Sequence, residues 1–118
     1  YRNLFNGNQI MTTPPEILPA MTLTDYCYAN IFFACQNLLE GPVLPAKILT
    51  SHCYNNLFYG CASIKKIVCY ATSGINSTNT GNWVKGVSST GDFYKDANAS
   101  WPTGTYGIPS GWTIHTSL

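Results

Sequence analysis

At 118 residues, with a formal net charge of +1 and only 9% of side chains charged, the chain is one domain-sized unit that lacks the clustered Lys and Arg needed by nucleic acid or an anionic membrane surface. With so few charges the polar surface must be built from Asn, Ser, Thr, Gly and Tyr, a palette suited to adaptable binding surfaces, and no stretch approaches the ~20 consecutive apolar residues of a membrane span. Five cysteines is an odd number, which leaves at least one free thiol if the others pair within the chain.

The chain opens inside a repeat, which reads as part of something longer. The first copy is YRNLFNGNQIMTTPPEILPA from Tyr1. CYANIFFACQNLLEGPVLPA follows from Cys27, and CYNNLFYGCASIKKIVCYAT from Cys53, 26 residues further on. Cys27/Cys53, Tyr28/Tyr54, Asn30/Asn56, Phe32/Phe58 and Cys35/Cys61 are identical between the last two, and Tyr1, Asn3, Leu4 and Phe5 fall in the same columns. Leu18-Pro19-Ala20 recurs as Leu44-Pro45-Ala46. Fixed spacing of this kind is the mark of a repeat architecture.

Leu23, Cys27 and Ile31 are four apart, as are Leu49, Cys53 and Leu57, which predicts one face of a short helix in each copy. Thr22 and Asp25 stand where a helix-capping pair would, and the Ala34 or Gly60 region would end the helix. A short strand is predicted over Leu38 to Pro42, and another over Ile64 to Tyr70, with Pro42 and Pro45 turning the chain. From Ser73 to Asn82 the composition shifts to Ser, Thr, Asn and Gly, a loop. The segment around Phe93 offers one more strand. The tail is turn-rich yet holds Trp101, Tyr106, Ile108, Trp112 and Ile114, too many large apolar groups for a disordered end. Residues 1–72 are therefore expected to form a solenoid of about three repeats, short parallel strands alternating with short helices, and residues 73–118 a β- and loop-rich C-terminal cap closing its hydrophobic end.

Phe32-Phe33-Ala34-Cys35-Gln36-Asn37-Leu38 and Phe58-Tyr59-Gly60-Cys61-Ala62-Ser63-Ile64 follow the pattern F-x-x-C-x-x-[LI]. With the short strand, the Pro and the return to the next Phe, this resembles the BspA-like leucine-rich repeats of surface and secreted proteins in Bacteroides-type bacteria and some protists. The ending NWVKGVSSTGDFYKDA…W…GIPSGWTI resembles the C-terminal ends of such proteins, while Asn8 stands where the first copy should have Cys. The resemblance implies a leucine-rich-repeat solenoid, and it links the chain to adhesion, host-protein binding and co-aggregation.

Few residues suggest chemistry. The cysteine columns read as inward-facing buried thiols; disulfides within a column are conceivable at the ~4.8 Å spacing of neighbouring strands. No C-x-x-C pair or His at ligand spacing points to a metal. His52 and His115 have no acid nearby in sequence, and Glu16, Asp25, Glu40, Asp92 and Asp96 are scattered; Asp92 and Asp96 are the one imaginable glycosidase-type pair. The Phe5/Phe32/Phe58 column is expected in the core and the Tyr1/Tyr28/Tyr54 column half-buried with hydroxyls at the surface. Asn3/Asn30/Asn56 suggest a ladder satisfying backbone groups. Phe33, Tyr59, Tyr70, Tyr94 and Tyr106 stand outside the core columns and suit protein or carbohydrate contact. Asn76-Ser77-Thr78 and Asn98-Ala99-Ser100 match the N-glycosylation pattern.

These features point to a binding module without enzymatic activity, cofactor or metal, extracellular or at the cell surface, whose partner is a protein or glycan on another cell or host surface. The alternatives are a structural part of an extracellular appendage or bacteriophage fibre, and a glycan-active enzyme.

Overall fold

A computed structural model describes residues 4–8, 10–13 and 24–116. Tyr1, Asn3, Glu16, the Leu18-Pro19-Ala20 tripeptide, Thr22 and Leu23 lie outside them. Four short strands form one parallel sheet in chain order: β1 (Val43–Leu44), β2 (Lys66–Cys69), β3 (Asp92–Lys95) and β4 (Thr113–His115). Val43 lies opposite Val68, Ile67 opposite Phe93, and Phe93 opposite Ile114. The predicted strand over Leu38 to Pro42 is displaced: β1 occupies the two residues between Pro42 and Pro45, prolines that cannot donate to a ladder. The strand around Phe93 is β3, and the turn-rich tail contributes β4.

The expected leucine-rich-repeat solenoid of alternating strands and helices is not what this chain adopts; its regular structure is the small four-stranded parallel sheet. There is no α-helix among the described residues, and the two segments where helices were expected are runs of consecutive turns. The N–H groups of Cys27, Ala29, Ile31, Phe33 and Cys35 donate to the carbonyl three residues back, while those of Tyr26, Tyr28, Asn30, Phe32 and Ala34 donate to Ser51, Cys53, Asn55, Leu57 and Tyr59 of the next copy. The same division recurs one copy later, where Tyr54, Asn56, Phe58 and Gly60 donate to Asn79, Gly81, Trp83 and Lys85. An α-helix would direct its N–H groups to carbonyls four residues back in the same segment; here half of them join copies.

Backbone conformation explains why a helix is excluded. Tyr26, Asn30 and Ala34 have φ of 60°, 59° and 58°, and His52, Asn56 and Gly60 have 57°, 55° and 75°. Left-handed residues every four positions cannot sit in a right-handed helix. Two consecutive turns also advance the chain by four residues, so a spacing of four in the apolar residues is common to this ribbon and to a helix. Cys53, Leu57 and Cys61 face the core through such turns. The Asn column owes its place to φ, because Asn tolerates the left-handed region better than most residues. It is not a satisfied ladder: the Oδ1 of Asn30 is buried without a partner.

Replacing Asn56 therefore separates the two architectures by sign. In a helix, Asn56→Ala would stabilise by a few tenths of a kcal/mol. In the turn ribbon it should destabilise by about 1 kcal/mol, with Asn56→Gly close to neutral; denaturant midpoints of the two variants check this.

The left-handed positions continue past residue 72. Asn82 and Gly86, at φ 51° and 81°, follow Asn56 and Gly60 by another 26 residues. This turn segment supplies Trp83 in the column of Ile31 and Leu57, and it leads into β3. The core lies between the turn layer and the sheet. Phe5, Phe32 and Phe58 stack with centroids 5.6 and 5.8 Å apart; Phe32 and Phe58 are core as expected, and Phe5 is half-buried against them. Tyr28 and Tyr54 are fully buried instead of half-buried, and the Tyr54 hydroxyl has no hydrogen-bond partner. Trp83 closes the column by stacking on Tyr54 and Trp101, at 6.0 and 5.3 Å. At the start of β3, a Cβ on Gly91 would lie 2.7 Å from the Trp112 ring, so only glycine lets that ring close over the core.

Candidate binding face

Strand alternation sorts the sheet residues into two sets. Ile67, Cys69 and Phe93 point into the core and are fully buried. Lys66, Asp92, Tyr94 and His115 point outward and remain partly exposed. Register then builds columns across the strands. Tyr94 lies opposite His115, and their rings stack at 4.5 Å with 16° between planes. The Lys66 ammonium stands 5.5 Å from the Tyr94 centroid, within cation–π range. Asp92 Oδ1 and His115 Nε2 are 2.9 Å apart.

A second cluster continues this face just beyond the strand ends. Lys47 Nζ stands 5.5 Å from the Tyr70 ring centroid and donates to Asp96 Oδ2 at 2.6 Å. That hydrogen bond, with a further one from the Asn98 N–H, holds the Asp96 carboxyl below its ordinary range. The outer face is thus a mixed surface of Tyr, His, Lys and Asp whose opposite charges are paired or lie against rings. It can offer hydrogen bonds and aromatic edges over a broad area.

The turn layer carries its own aromatic rungs. Tyr26 stacks on His52 at 4.4 Å, and Ser51 Oγ lies 2.8 Å from His52 Nδ1. His52 is therefore engaged away from Cys53. Phe33 stacks on Tyr59 at 4.8 Å, with Lys85 Nζ 5.9 Å from the Tyr59 centroid. Of the aromatics outside the core columns, Phe33 and Tyr59 form rungs here, Tyr70 and Tyr94 on the sheet face, and Tyr106 is exposed. A shallow open groove of about 230 Å³ lies at the end of the turn layer, lined by Val84, Val87, Pro109 and neighbouring Ser and Gly residues.

Asp92 and Asp96 are not brought together as a catalytic pair. Asp92 Oδ1 is engaged by His115 Nε2 and Asp96 Oδ2 by Lys47 Nζ, so each carboxylate is held by its own partner and neither faces the other across a shared site. The contact between His115 and Asp92 was not readable from sequence, because it arises only when β4 pairs with β3. Asp25 and Glu40 are exposed. No group of three or more His, Cys, Asp or Glu that could hold a metal exists among the described residues. Asn76 and Asn98 are exposed, and Asn76 Oδ1 accepts from the N–H groups of Thr78 and Asn79.

All five cysteines are free. Cys35 and Cys61 are buried, and each thiol donates to a carbonyl of the preceding copy, that of Phe5 at 3.1 Å and that of Phe32 at 3.0 Å. Burial pushes the thiols up: Cys53 to about 11, Cys61 and Cys69 to about 12. Such thiols are poor nucleophiles at neutral pH.

No family model, curated protein or solved structure matches this chain. No helix among the described residues is long and apolar enough to cross a membrane.

Proposed function

We propose that the chain is a cell-surface or secreted binding module that acts without chemistry, its contact surface being the outer face of the sheet. The observation that carries this reading is the Tyr94–His115 stack with the Lys66 ammonium on the Tyr94 ring, and with Asp92, Tyr70, Lys47 and Asp96 beside it. It is a surface of aromatic rings and paired Lys, His and Asp side chains, backed by the buried side of the sheet. Chemistry would need a positioned acid, base or nucleophile in a site that shields the reacting atoms. Here Asp92 and Asp96 are each engaged by a different partner, and burial keeps the thiols of Cys53, Cys61 and Cys69 protonated in the core.

The resemblance of Phe32–Leu38 and Phe58–Ile64 to segments of BspA-like surface proteins supports the same reading. The partner class is a protein or glycan of another surface. An open face of this kind gives modest affinity for one copy, and useful strength comes from many copies displayed together. On an array of glycans and extracellular proteins, a single soluble copy should give weak signals and a multivalent display strong ones, by ~10²-fold or more. Turnover of any arrayed glycan, or equal binding by both forms, would contradict the proposal.

A further inference from the structure

The two edges of the sheet are unlike. β1 is bracketed by Pro42 and Pro45, and prolines are a device that keeps an edge from pairing with another chain. β4 has neither Pro nor Lys, only Thr113, Ile114 and His115. Its main chain is also oriented for pairing. The Thr113 N–H donates to Gly91 O, toward β3, so the alternation of a strand turns the N–H and C=O of Ile114 away from β3. Among the described residues nothing meets them.

The Ile114 side chain is unfinished in the same way. It follows Ile67 and Phe93 in the inward column, yet it is 50% exposed where they are fully buried.

We propose that β4 pairs antiparallel with β4 of a second copy of this chain, about a twofold axis at Ile114. An outward N–H and C=O on the same residue are self-complementary under twofold symmetry: the two Ile114 residues exchange both hydrogen bonds. Residues directly opposite each other in a sheet share a face, so the two Ile114 side chains meet on the core side, and Thr113 of one copy meets His115 of the other on the outer side. No like charges are opposed, and a net charge of +1 per chain sets up little repulsion. The pairing turns four strands into eight and joins the two outer faces into one. It goes beyond the binding reading and stands whether or not a ligand is found.

Sedimentation or light scattering from about 1 μM to about 1 mM protein should show a monomer–dimer equilibrium. Ile114→Lys should raise the dissociation constant at least tenfold while leaving the cooperative unfolding of the monomer in place, since half of the side chain already faces water. Ile114→Cys should form a disulfide-linked dimer on mild oxidation, and Thr113→Cys should not, because only residue 114 faces itself. A monomer over the whole range overturns the proposal, as does a dimer indifferent to Ile114→Lys or one cross-linked through Thr113→Cys in place of Ile114→Cys.

Discussion

Raising the pH from 9 toward 11 should unfold the protein. Thiols ionise near their ordinary value of 9.0 in the unfolded chain, whereas Cys53 holds its proton to about 11 and Cys61 and Cys69 to about 12 in the folded one. In that window the folded state binds more protons than the unfolded state, so stability falls as pH rises. It is fully present below pH 9 and is lost through the folded values. Each such group contributes a slope of up to about 1.4 kcal/mol per pH unit. With three thiols the slope is roughly 4 kcal/mol per unit, against a total of ~5–15 kcal/mol for a typical domain. Circular dichroism across this range checks the transition. Thiol labelling near pH 8 supplies the companion result: the native chain reacts at no more than the half-buried Cys27, and the unfolded chain at all five. Persistence of the fold to pH 11, or internal disulfides by non-reducing mass analysis, contradicts the thiol assignment.

Trp83→Ala should be the most damaging single side-chain truncation. Trp83 is fully buried and contacts Tyr54, Phe58, Phe93 and Trp101 by ring packing, while its Nε1–H donates to Gly107 O at 2.9 Å. It joins the turn layer, the sheet and the C-terminal segment at one point. Truncating a buried Trp costs ~3–5 kcal/mol, a large share of marginal stability, and Gly107 O loses its donor as well. Tyr106→Ala, at a side chain 38% exposed, should shift stability by only about 0.5 kcal/mol. Chemical denaturation of both variants measures the difference; equal, small losses would show that the C-terminal segment does not brace the stack.

The repeat and its spacing of 26 were legible because identical Cys, Tyr, Asn and Phe residues recur in columns. The helix was misread because the spacing of Leu49, Cys53 and Leu57 fits two structures equally. The deciding signal was conformational: Asn30, Asn56 and Asn82 recur at the spacing of 26, and Gly60 and Gly86 follow two of them by four residues, residue types that favour or tolerate φ > 0. Alignment on cysteines hid the third member, where Asn79 and Val87 replace them. Part of the candidate face was visible in composition, since Tyr70 and Tyr94 stand outside the core columns. Its assembly was not, because Lys66, Tyr94 and His115 meet only through the registers of β2, β3 and β4, the last of which lies in a segment rich in turn residues. The buried Tyr column escaped sequence reading for a similar reason: a phenol suggests a surface hydroxyl, but stacking between Tyr28, Tyr54 and Trp83 wins.

The most direct measurement of the binding reading compares two variants against the strongest array ligand, presented multivalently. Tyr94→Ala removes the ring that His115 and Lys66 both meet on the sheet face, and Tyr59→Ala removes an equivalent rung from the turn layer; both should stay folded, as checked by their denaturation midpoints. Tyr94→Ala should lower affinity about tenfold or more, in line with loss of an aromatic contact at an interface, while Tyr59→Ala leaves it within a factor of about two. Retention of affinity by Tyr94→Ala together with its loss in Tyr59→Ala would place binding on the turn layer and contradict the assignment of the sheet face.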